Sequence, residues 1–120
     1  MPFEIGWTEH EAHKRFSGQV SGEEYVRSVQ DVRSDNRFPS LKVVINDFSE
    51  ATTINIERMA MLYAASLTLA VRAENPGLRV AFVVPHDPVG DNVRQVLAPL
   101  VVPQYQFGIF ETVEDARGWV

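Results

Sequence analysis

The side chains that could do chemistry are few. His86 and Asp87 put an imidazole beside a carboxylate, a pairing that can act as a base. Adjacent residues seldom point together, however, and Asp87 before Pro88 has the form of a helix cap. Ser49 lacks the Gly-x-Ser-x-Gly elbow of a hydrolytic nucleophile. His10, Glu11 and His13 crowd one short stretch, but their spacing is not that of the His-Glu-x-x-His zinc helix. An exposed turn without metal is the expectation there. No glycine-rich phosphate loop is present. No catalytic residue, metal ligand or cofactor is therefore assigned. What remains is a set of polar residues suited to binding: Asp47, Ser49, Thr52, Thr53, His86 and Asp87.

The elements that must position them follow from periodicity. Phe3, Ile5 and Trp7 alternate with polar or small residues, as do the positions from Ala12 through Lys14, Phe16 and Gly18 to Val20. Both read as strands. They lie too close together for a helical crossover, so an antiparallel hairpin is expected. Ser21 with Glu24 forms a capping box opening a helix to about Ser34. Leu41 to Ile45 reads as a buried strand, turned by residues 46–50. A long helix then starts near Asn55. Its expected inner face is Ile56, Met59, Ala60, Tyr63, Leu67 and Ala70, with a second stripe of Leu62, Ala65 and Leu69. Asn75-Pro76-Gly77 ends it.

Arg79 to Val84 is a further apolar strand. Asp87 caps a helix with Val89, Val93, Val96 and Leu97 inward, limited by Pro99. Tyr105, Phe107 and Ile109 alternate as the last strand, and Thr112 opens a final helix carrying Val113, Ala116 and Trp119. The order ββαβαβαβα predicts an α/β fold with a mainly parallel sheet, an antiparallel N-terminal edge strand and helices packed on the sheet. Loops at the carboxyl ends of the parallel strands share one rim, where ligands tend to bind. The six polar residues named above are expected on that rim.

Composition narrows the function. The 120 residues suit one domain spanning 1–120, able to bury roughly two thirds of its unfolded surface. There are no cysteines, so neither disulfides nor thiol chemistry enters. A formal charge of −5 argues against a general nucleic-acid partner, which needs a basic face. Residues 59–71 are the most apolar stretch, but polar residues interrupt it and it falls short of the ~18–20 residues that span a bilayer. The Met1–Ile5 stretch has no basic or apolar signal region, and a cytoplasmic protein is expected.

Three stretches together resemble the SpoIIAA-like fold, the group that contains the STAS domains. They are Phe16-Ser17-Gly18, Val44-Ile45-Asn46-Asp47-Phe48, and residues 110–120, which read FETVEDARGWV. The resemblance is greatest to uncharacterised bacterial STAS-like proteins and covers nearly the whole element order. It implies a regulatory or binding module without enzymatic activity. In phosphorylatable members of that fold a switch serine lies in an Asp-Ser-Ser-Gly-like turn after the middle strand. The corresponding stretch here, Asp47 to Thr53, carries hydroxyls but neither the serine pair nor the glycine.

The leading expectation is a small module that recognises a protein partner or small ligand through its rim, with a homodimer as an allowed assembly. Two other readings stand beside it. One is a carrier holding an apolar ligand or lipid beside the long helix. The other is a small enzyme using His86 and rim carboxylates.

Overall fold

A computed structural model describes residues 3–70, 74–98 and 106–119. Within them it describes every side chain except those of Arg58, Met61, Leu62, Ala65, Thr68, Leu69, Val89, Asn92 and Val96. The stripe Leu62–Ala65–Leu69, the inner-face positions Val89 and Val96, and the boundary residues Pro99 and Tyr105 thus lie outside the described residues.

The elements run β1 (Phe3–Trp7), β2 (Glu11–Ser21), α1 (Gly22–Ser34), a 3-10 turn (Phe38–Ser40), β3 (Val43–Asn55), α2 (Arg58–Ala70), β4 (Arg79–Val83), α3 (Pro88–Leu97), β5 (Phe107–Phe110) and α4 (Val113–Trp119). The five strands lie in the order β1-β2-β3-β4-β5. β1 is antiparallel to β2, and each later pair is parallel. The expected ββαβαβαβα architecture with its antiparallel edge is present.

Alternation along each strand divides the core in two. Ala12, Phe16, Val20, Val44, Phe48, Val80 and Phe82 meet Tyr25 and Val32 of α1, Ala64 of α2, and Val93 and Leu97 of α3. On the opposite face Val43, Ile45, Ala81 and Val83 meet Ala116, Phe110 and Trp119. α4 alone covers that second face among the described helices. The three helix starts read from the sequence are real caps. Ser21 Oγ accepts from the Glu24 N–H at 3.2 Å, Asp87 Oδ1 from Gly90 at 2.7 Å, and Thr112 Oγ1 from Asp115 at 3.1 Å. Ser21→Ala should lower stability by about 0.5–2 kcal/mol. A urea melt followed by circular dichroism reads this directly, and an unchanged midpoint would show that α1 does not need its cap.

Two expectations are corrected. The first concerns residues 46–50, expected to turn the chain before a long helix starting near Asn55. They are strand, and the helix starts at Arg58. Glu50, Ala51, Thr53, Ile54 and Asn55 each pair with β2, from Ser17 to Ser21. β4 stops at Val83, opposite Asp47, so β3 runs on beyond β4 with β2 beside it. The polar run hid a strand because Thr52, Thr53 and Ile54 are β-branched residues on a half-solvated ribbon, where side chains need only one apolar face.

The second correction concerns α2. Met59 is 71% exposed and Tyr63 52% exposed, and Ala70 is exposed as well. Among the described side chains of this helix Ala64 is the buried one, flanked by half-buried Ala60 and Leu67. α1 and α2 approach so closely that a Cβ added to Gly22 would stand 3.0 Å from Ala60 Cβ. Small Ala60 and Ala64 thus face inward while Met59 and Tyr63 face outward, which a purely hydropathic pattern cannot foresee.

Candidate functional site

Asp47 lies in β3 opposite Arg15 of β2. The pairing slips between Arg15 and Ser17, so that Phe48 and Ser49 both face the single residue Phe16. This β-bulge re-aims the backbone. It turns the Ser49 N–H back onto Asp47 Oδ1 at 2.9 Å, and the Ser49 hydroxyl donates to the same oxygen. The other carboxylate oxygen accepts from His13 Nε2 at 2.8 Å. Burial would raise the carboxyl, but the Ser49 hydroxyl, the Ser49 N–H and the His13 ring together outweigh it and hold Asp47 below its ordinary value.

Serine, aspartate and histidine thus form one chain, but in an order unlike that of a hydrolytic triad. In a triad the imidazole lies between hydroxyl and carboxylate. Here the carboxylate lies in the middle, and the serine proton already points at a weakened base. The arrangement orients Ser49 and fixes the bulge; it does not activate a nucleophile.

A depressed carboxyl carries a stability signature. Its contribution is fully present above the unfolded aspartate value and is lost as pH falls through the lower folded value. The wild type should therefore lose stability as pH drops below about 4. Asp47→Asn should show a smaller part of that loss. At pH 7, Asp47→Ala should cost about 1–3 kcal/mol by leaving its donors without an acceptor. Urea midpoints measured from pH 7 to pH 3 test both statements, and superimposable profiles would contradict them.

The other expected site residues separate. Thr52 and Thr53 lie exposed on the β3 extension. His86, expected beside Asp87, instead meets Glu111 at 2.7 Å, with 59% and 63% of the two side chains exposed. That contact joins the β4–α3 and β5–α4 connections. Asp87 is occupied by its helix. The trio His10, Glu11 and His13 disperses: His10 approaches the Ser40 carbonyl, Glu11 takes a two-bond contact from Arg117, and His13 turns to Asp47. No group of three metal-binding side chains forms among the described residues.

Three features escaped the sequence reading. Lys14 is 1% exposed and Asn46 1% exposed. The Arg117–Glu11 pair, 3.0 and 2.9 Å, ties α4 to β2. Lys14 had a visible signal, since it occupies the same phase of β2 as Ala12 and Phe16. The contacts of Asp47 and Arg117 had none, being separated by 34 and 106 positions from their partners.

No helix among the described residues is long and apolar enough to cross a membrane. No family model and no curated protein matches this chain. Solved structures do. The Bacillus cell fate determinant SpoIIAA, in its phosphorylated form, is similar over 98% of this chain and 97% of its own, at 13% identity and a TM-score of 0.60. An uncharacterized DUF3478-family protein from Shewanella loihica PV-4, with a SpoIIAA-like fold, is similar over 98% and 90%, at 20% identity and a TM-score of 0.54. With the strand order, the antiparallel first strand and the near-complete overlap agreeing, this chain has the SpoIIAA-like fold.

Proposed function

We propose that this protein is a non-enzymatic binding and regulatory module that recognises a protein partner through the β3 extension and the first turns of α2. One observation carries the reading. The large hydrophobic side chains left exposed among the described residues are Met59 and Tyr63. They stand four positions apart on α2, and hence on one face. Exposed apolar groups gathered in this way mark interaction surfaces, and tyrosine and methionine are enriched there.

The strand leading into α2 supplies a polar border. Thr52 and Thr53 are exposed, and Ser49 is held in place by Asp47. SpoIIAA of Bacillus, which shares the fold, was solved phosphorylated, and these exposed hydroxyls would offer a place for a charge-based control of binding here. A phosphate would change the local charge by nearly two units. His86 and Asp87 complete the rim from the β4–α3 side. A cytoplasmic setting fits this reading.

The test places a photo-crosslinking amino acid at Thr53, Met59 or Tyr63, and as a control at exposed Gln30 on α1. The expected result is one partner captured from all three positions and not from Gln30. The double variant Met59→Ala/Tyr63→Ala should weaken that capture at least about tenfold, since two anchor residues commonly carry more than 1 kcal/mol each, with an unchanged melting temperature. Equal capture at Gln30, or undiminished capture by the double variant, would refute the assignment.

A further inference from the structure

We propose that Lys14, sealed beneath α1 with Ser28 and Asn46, is a proton-controlled latch on that helix: losing a proton seats α1 on the sheet, and gaining one loosens it.

The geometry is that of a cation site left incomplete. Lys14 lies on β2 between Ala12 and Phe16, on the face covered by α1. Its Nζ donates to Ser28 Oγ at 3.1 Å. The Ser28 hydroxyl donates its own hydrogen bond to the Tyr25 carbonyl at 2.6 Å. The amine sits 4.9 Å from the Tyr25 ring centre and 5.7 Å from that of Phe16. An ammonium has three protons to place, and Ser28 takes one. Asn46, the register partner of Lys14 on β3, has its Oδ1 buried without a hydrogen-bond partner among the described residues.

The charged groups around Lys14 are few. On α1, exposed Asp31 attracts the ammonium through space but is not in ion-pair contact with it. Glu24, one turn before Ser28, has its Oε2 buried without a partner. Tyr25 is titratable, but burial pushes its phenol up, so it stays neutral near pH 7. β1 presents the apolar neighbour Ile5 in register, and β3 presents Asn46. No described carboxylate is paired with the amine.

Burial lowers Lys14 to about 7, with Asp31 pulling weakly the other way. Once α1 lifts away, the lysine meets water and returns to an ordinary value near 10.4. The sign follows from linkage. Between these two values the docked form holds no proton and the lifted form holds one. Each unit of pH rise above 7 should therefore make lifting about tenfold rarer. Below 7 both forms hold the proton, and docking levels off at its weakest. α1 is the element released because it supplies both Ser28 and Tyr25.

Amide hydrogen exchange tests this on the intact chain, with rates corrected for intrinsic exchange. The opening equilibrium of residues 22–34 should fall about tenfold from pH 7.5 to pH 8.5 and change little from pH 6.5 to pH 5.5. Core amides of β3 and β4 should not follow it. Lys14→Met should show no such dependence. Direct NMR titration of the Lys14 side chain, which needs no variant, should find its transition near neutrality. A transition near 10.4, an identical pH profile in Lys14→Met, or equal changes in β3 and β4 would each overturn the proposal. If Lys14→Met does not fold, the titration and the wild-type exchange profile decide the matter.

Discussion

Gly90→Ala should be among the most damaging single substitutions in this protein, costing about 3 kcal/mol or more. A Cβ at position 90 would stand 1.8 Å from the Pro85 carbonyl oxygen, 2.9 Å from the Pro85 carbonyl carbon and 3.0 Å from Val84 Cγ1. The first two are backbone atoms just beyond β4, so no side chain can swing away. Relief requires the start of α3 to move outward. That movement breaks the Asp87–Gly90 cap and pulls Val93 and Leu97, both buried, from the core. Gly77→Ala is the control. Nothing lies within 4 Å of its added Cβ, and the change should stay within about 0.5 kcal/mol. Similar urea midpoints for the two variants would show that α3 does not approach β4 as closely as described.

Phe48→Ala should cost about 3–5 kcal/mol. Phe48 is fully buried, stacked on Phe16 with ring centres 4.8 Å apart and planes 13° from parallel. Tyr25 lies 6.2 Å away on the same cluster. Removing the ring leaves a cavity between the bulge and α1, lined by residues the sheet holds in place. Leu67→Ala should cost less than Phe48→Ala, since Leu67 is half-buried and solvent can fill part of the space. The ranking matters more than either value. It places the centre of the large core cluster at the β3 bulge, not on the outer turns of α2. A denaturant melt in which Leu67→Ala is the more destabilised variant would reverse it.

The order of elements was legible from the chain because each depends on neighbours in sequence. Alternation of Phe3, Ile5 and Trp7 and the caps at Ser21, Asp87 and Thr112 act within a few residues. Those interactions are local, so the residues alone decide them. The hairpin of β1 and β2 follows as well, since the short connection permits no other pairing.

Contacts between distant segments decided the remainder. Residues 48–55 are strand because β2 offers a hydrogen-bonding edge there; without it their polar composition favours a turn. Met59 and Tyr63 face outward because α2 turns Ala60 toward Gly22 of α1, a close approach set by two helices packing together. Asp47 became the centre of a Ser49–Asp47–His13 chain only when the parallel register brought β2 beside β3. Lys14 follows the same division. Its place in the alternation of β2 sets the inward direction of its side chain. Only α1, closing over it with Ser28 and Tyr25, turns that direction into a buried amine, because desolvation requires a lid and the lid comes from another element.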